Sequence, residues 1–206
     1  TYYFQNEKND KPDSGYENNV LGGGISITYE KFKDIYLSPG ISLVFDDLTT
    51  DSSASTLLKK QEGSSTDLMF DYSVSTDKRD RRFMPTSGYY TSFSQEIPFY
   101  SDQPHIKNGF ATSHYKEINE DIVGALKFRA ATVNGIGDDD VKISQRLYLG
   151  SRQLRGFEAG KVGPKDGSDY VGGNYSTSLN LEANFPNFFP EKSNAEIGLF
   201  LDAGNV

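Results

Sequence analysis

At 206 residues the chain is long enough for one all-β domain or a large piece of one. Its formal net charge of −8 and pI of about 4.8 argue against nucleic acid as a partner, because phosphates attract the opposite sign. Cysteine is absent, which excludes disulfides, thiolate metal centres and a thiol nucleophile, and no run approaches the roughly 18 apolar residues of a membrane helix.

In chain order the signal is period two. Thr1-Tyr2-Tyr3-Phe4 reads as the end of a strand, so the chain is expected to be an internal piece of a larger protein. Leu21, Ile25, Ile27 and Tyr29 then oppose Gly22, Gly24, Ser26, Thr28 and Glu30. A tight turn at Lys31–Asp34 leads to Ile35, Leu37, Ile41, Leu43 and Phe45 opposite Ser38, Gly40, Ser42 and Asp46. Leu48–Ser65 reads as a polar loop, followed by Leu68, Phe70, Tyr72 and Val74 opposite Asp71, Ser73 and Ser75. Asp77–Gly88 is a charged turn. Two less regular strands are expected near 88–98 and 107–118. After Asn119–Glu120, Ile122, Leu126, Phe128 and Ala130 oppose Lys127 and Arg129. A long Gly-rich loop fills about 135–171. Tyr175, Thr177, Leu179, Leu181, Ala183 and Phe185 then oppose Asn174, Ser176, Ser178, Asn180, Glu182 and Asn184. Past a short turn at Asn187–Ser193, Ala195, Ile197, Leu199 and Leu201 oppose Glu196, Gly198, Phe200 and Asp202.

Alternation alone also suits a soluble sandwich. Three features favour a transmembrane barrel: runs of about 10–13 residues, a very polar second face, and short turns alternating with long loops. In hydrocarbon every backbone donor and acceptor needs an internal partner, so such a sheet must close on itself. The fold expected is therefore an all-β antiparallel transmembrane β-barrel, here about eight strands and a stub of a larger ring, as one domain over 1–206. The apolar faces carry no central charge, and Tyr29, Phe45, Tyr72, Tyr175 and Phe185 suit aromatic girdles.

Catalytic constellations are lacking, so neither an enzyme nor a cofactor is expected. His105 and His114 lack metal-ligand spacing, and Gly22-Gly23-Gly24 and Gly135-Ile136-Gly137 lack the Lys-Ser/Thr of a phosphate loop. Asp138-Asp139-Asp140 reads as a solvated loop tip in preference to a Ca²⁺ site. More informative is GSRQLRGFEAGKVGP, Gly150 to Pro164, which puts Arg155, Gly156 and Phe157 in the long loop. Alternation places Glu182 and Asp202 on the polar face of consecutive strands, where a loop cation could reach both. A guanidinium bridges two carboxylates through forked donors better than Lys does.

Five segments in order resemble the bacterial surface antigen family. Asp80-Arg81-Arg82-Phe83-Met84-Pro85-Thr86-Ser87-Gly88 resembles its hairpin turn, with Asp80, Pro85 and Gly88 at the marked positions. Arg152 to Phe157, with Gly163-Pro164 after it, resembles the tip of an inward-folded loop. Val171-Gly172-Gly173-Asn174 resembles the start of the next strand, and Leu181-Glu182 to Phe185-Pro186 and Phe200 to Val206 resemble the two strands around the following turn. The resemblance implies that Arg155, Gly156 and Phe157 lock a loop at 135–171, folded into the lumen, onto Glu182 and Asp202. It implies a bacterial outer-membrane factor that folds and inserts other β-barrel proteins. Its partners would be the outer-membrane lipid bilayer, unfolded β-barrel clients, and periplasmic and lipoprotein accessory subunits. Rival expectations are a TamA-like factor, a two-partner secretion transporter exporting a polypeptide, a passive porin, or a soluble sandwich.

Overall fold

Backbone pairing between neighbours in sequence, with apolar residues on one side only, generates the whole architecture. The computed structural model describes residues 1–137, 140–186, 188–189 and 197–206. The strands are β1 (Tyr2–Lys11), β2 (Tyr16–Ser26), β3 (Tyr29–Phe32), β4 (Ile35–Thr50), β5 (Gly63–Asp77), β6 (Gly88–Ser101), β7 (His105–Asn119), β8 (Ile122–Gly135), the short pair β9 (Lys165–Asp166) and β10 (Asp169–Tyr170), β11 (Tyr175–Phe185) and β12 (Ile197–Asn205). One ten-stranded sheet runs β1-β2-β4-β5-β6-β7-β8-β11-β12, with β3 pairing β4 beside β2, and every ladder in it is antiparallel.

Several boundaries differ from the sequence reading. Tyr2-Tyr3-Phe4 begins a strand of ten residues instead of ending one. Leu48 and Ser65 belong to strands, so the loop between β4 and β5 shrinks to 51–62 and contains one helical turn, α1 (Thr56–Lys59). Ser55 caps that turn, its hydroxyl accepting from the Leu58 N–H at 3.2 Å. β6 and β7 run on to Ser101 and from His105, and the long loop carries the β9–β10 hairpin. Asp138, Asp139, Ala195, Glu196 and most of the turn read at Asn187–Ser193 lie outside the described residues.

Burial is inverted relative to a water-soluble sheet. Ile25, Leu199 and Leu201 are each more than 65% exposed, whereas Asp46, Ser178 and Asn180 are 2% exposed or less. Large apolar side chains left bare over many consecutive strands cost too much in water, so the solvent they face is hydrocarbon. Four polar groups on that apolar face form one hydrogen-bonded chain. The Tyr72 hydroxyl donates to Gln95 Oε1 at 3.1 Å, Gln95 Nε2 to Asn108 Oδ1 at 2.6 Å, and Asn108 Nδ2 to Thr132 Oγ1 at 3.2 Å. The charge pair Lys8–Glu17, at 3.1 Å, sits beside the β1–β2 turn, away from the middle of the apolar face.

The other face is polar and covered by the long loop between β8 and β11. Three small apolar clusters fasten this loop. Tyr16, Leu48, Ala54 and Leu58 receive Ile143 and Val171; Val133 packs with Val141 and Leu147; Leu149, Leu154 and Val206 form the third. The sheet curls around it. Lys161 pairs with Asp13 at 3.1 Å, beside the end of β1, while a Cβ on Gly163 would meet Val206, beside the end of β12, at 2.9 Å. Laid flat, eight strand spacings would hold those edges about 38 Å apart. Both instead reach loop residues two positions apart, a chain reach of at most about 7 Å.

Candidate functional site

The register of the last two strands builds the site. Asn180 on β11 faces Asp202 on β12, and Glu182 faces Phe200, all four on the polar face. Lys127 on β8 lies diagonally beside Glu182 and donates to its Oε2 at 2.6 Å. Arg155 descends from the loop into this frame. Its backbone N–H donates to Asp202 Oδ2 at 2.9 Å, its Nε to the same oxygen at 2.7 Å, and a terminal nitrogen to Oδ1 at 2.6 Å. That nitrogen also lies 3.0 Å from Glu182 Oε1. The guanidinium carbon sits 3.8 Å from the centre of the Phe200 ring. Asn180 Nδ2 completes the frame, donating to Asp202 Oδ1 at 2.8 Å and to the Gln153 carbonyl at 2.9 Å.

Two cations and two carboxylates make the group neutral, which permits its burial: the Asp202 side chain is 3% exposed and that of Glu182 12%. The loop enters at a fixed angle because Gln153 closes a tight turn. Its Oε1 accepts from the Gly150 N–H at 2.7 Å, its own N–H donates to the Gly150 carbonyl at 2.9 Å, and Leu154 is buried against Leu149 and Val206. Gly156 has φ +84° with nothing near its absent Cβ. Its requirement is therefore conformational, and Gly156→Ala is expected to cost about 1–2 kcal/mol in the unfolding free energy without displacing any neighbour. Phe157 points away and is 59% exposed. Of the Arg-Gly-Phe triplet, only Arg155 enters the carboxylate frame.

Asp80, Pro85 and Gly88 lie in the turn from β5 to β6. The Asp80 carboxylate accepts from the Thr86 N–H at 3.0 Å, the Thr86 hydroxyl at 3.1 Å and the Ser87 N–H at 3.1 Å. At Gly88, φ +90°, a Cβ would strike the Lys78 carbonyl oxygen. Pro85 is half-buried and forms no comparable contact. The Ser87 and then the Thr86 N–H hold the Asp80 carboxyl below the usual aspartate range. A depressed folded pKa contributes stability above the unfolded value, about 3.9, that is lost as pH falls through the lower folded value. Hydrogen exchange is therefore expected to show Thr86 and Ser87 amides protected at about pH 5 and released only below about pH 4. Release already at about pH 6 would contradict it.

The two histidines do not converge. His105 is buried on the polar face, its Nδ1 3.1 Å from the Gln103 carbonyl, while His114 lies on the apolar face, stacked on Tyr89 at 5.5 Å. Sequence reasoning brought Arg155, Glu182 and Asp202 together but missed Lys127, Asn180 and Phe200. Alternation had put these three on the polar face; only the cross-strand register shows that they meet.

Comparison with known proteins identifies the family and the fold. The sequence profile of the Omp85 superfamily domain matches residues 1–206. An outer membrane protein assembly factor BamA from Neorickettsia risticii (strain Illinois) is 25% identical over 208 residues, covering 98% of this chain and 28% of that protein. A SAM50-like protein of Schizosaccharomyces pombe is 27% identical over 140 residues, covering 65% of this chain and 30% of its own length. The chain thus spans less than a third of these relatives. Among solved structures, BamA from Haemophilus ducreyi lacking POTRA domains 1-3 superposes with a TM-score of 0.83 at 22% identity, over 99% of this chain and 45% of that one.

Proposed function

We propose, starting from the fact that the chain belongs to the Omp85 superfamily, that it is part of the membrane barrel of a factor that folds and inserts other β-barrel proteins into the bacterial outer membrane. The observation that carries the reading is the seating of Arg155 on Asp202 and Glu182, inside a sheet whose apolar face meets hydrocarbon. The polar face is the lumen wall, and the loop at 135–171 lies within it as a brace, with Arg155 the lock and Glu182 and Asp202 its seat. Gly156 lets the chain turn after the lock. The turn that carries Asp80, Pro85 and Gly88, held by the Asp80 carboxylate, closes the β5–β6 hairpin.

In this reading the protein makes and breaks no covalent bond. A wall held in shape supports strand edges elsewhere in the ring, whose unpaired N–H and C=O groups template an incoming strand. The clients are unfolded β-barrel proteins, the solvent is the outer-membrane bilayer, and periplasmic and lipoprotein subunits deliver clients to it. The test replaces the full-length gene by its Arg155→Ala form and measures folded barrels in the outer membrane. Several unrelated barrels are expected to fall together. Loss of one secreted polypeptide with all other barrels at normal levels would instead assign the chain to an exporter.

A further inference from the structure

A second ionic group binds the same loop on the same polar face, five strands away from the Arg155 seat. Lys142 and Asp46 have side chains only 5% and 2% exposed, with Nζ 3.4 Å from Asp46 Oδ2. The ammonium also donates to Ser65 Oγ at 2.8 Å and to the Asp46 carbonyl at 3.3 Å. Asp46 Oδ1 accepts from Asn18 Nδ2 at 2.7 Å, and its Oδ2 from the Ser144 hydroxyl at 2.6 Å. Between them the Ile143 N–H donates to Gln61 Oε1 at 2.7 Å, and Ile143 is 1% exposed. Three consecutive loop residues thus engage β4, β5 and the connection after α1, while Asn18 of β2 braces Asp46.

These strands are not those that hold Arg155. Between β4 and β12 lie β5, β6, β7, β8 and β11. A loop tied to β12 alone could swing about that tie. One tied also to β4 spans the concave face as a chord, and its length sets how far the sheet opens. A buried carboxylate is tolerated only with its cation present, so Asp46 makes the tie obligatory in a way an apolar contact would not.

We propose that Lys142 and Asp46 form a second anchor, and that the loop is a strap which positions Arg155 only while this anchor holds. The proposal rests on the loop occupying the lumen, but not on Arg155 being a lock. The experiment uses the full-length protein in lipid vesicles, with Lys142→Met, Asp46→Asn, the double variant and Arg155→Ala side by side. Two measurements are made: the rate of tryptic cutting at Arg152 and Lys161, and the temperature at which the folded band is lost on a detergent gel. Each anchor variant is expected to raise the cutting rate at least about tenfold. The double variant should still open the loop but lose no more stability than the worse single one, because it leaves no bare charge. It also serves if a single variant fails to fold. Full protection of Arg152 and Lys161 in the double variant, with unchanged band loss, would overturn the anchor. Release by the anchor variants with Arg155→Ala still protected would sustain the anchor and sink the lock.

Discussion

Arg155→Ala is expected to cost the full-length protein on the order of 3–5 kcal/mol of stability in lipid, the penalty of leaving a buried carboxylate without its cation. The exposed part of Arg155 is of little consequence here, because the group left behind is Asp202, 3% exposed and then supported by uncharged donors, Asn180 and the backbone N–H of residue 155. Glu182 would keep Lys127 and suffer less. Asp202→Asn is therefore expected to couple to Arg155→Ala more strongly than Glu182→Gln does, in double-mutant cycles read from urea unfolding in vesicles. Arg155→Lys should recover only part of the loss, since an ammonium cannot span both oxygens of Asp202 and reach Glu182. Strictly additive pairs would remove the ionic contact from any account of the loop.

The second large effect concerns the hydrocarbon face. Leu43 lies between Ile41 and Phe45 on the apolar side of β4, away from both strand ends. Leu43→Arg is expected to cost about 2–4 kcal/mol, against about 0–1 for Thr49→Arg near the loop end of the same face. The check is the folded fraction of each variant against urea in vesicles, where the ordering by depth is the discriminating result. Equal, small costs at both positions would mean that this face meets water.

The apolar belt was legible because period two survives wherever one face must be greasy, and β11 was read to within one residue for that reason. Outside the belt both faces turn polar and the signal fades. Tyr2–Lys11 reads apolar only as far as Phe4, yet ten residues pair with β2, held by backbone hydrogen bonds that composition does not report. The same loss of contrast hid the strand residues from Leu48 to Thr50, where Leu48 is buried beneath loop residues instead of facing lipid. At the site, alternation and the family resemblance put Glu182 and Asp202 within reach of Arg155. Phe200 was missed although alternation set this apolar residue on a polar face, a departure that the stacked guanidinium explains. Lys142 and Asp46 carried no local mark, being 96 residues apart and joined only by the curl of the sheet.

The two ties of the loop also differ in when the chain can make them. Both residues that receive Lys142, Asp46 and Ser65, precede it in the chain, whereas both carboxylates that seat Arg155, Glu182 and Asp202, follow it. During N-to-C emergence the first tie can form while β11 and β12 are still unmade, and the second must wait for both. Closing so long a contour costs entropy only logarithmically in its length. An early tie that keeps the loop near its destination thus shortens the search left for the guanidinium, and seating Arg155 becomes a late event that reports a finished wall.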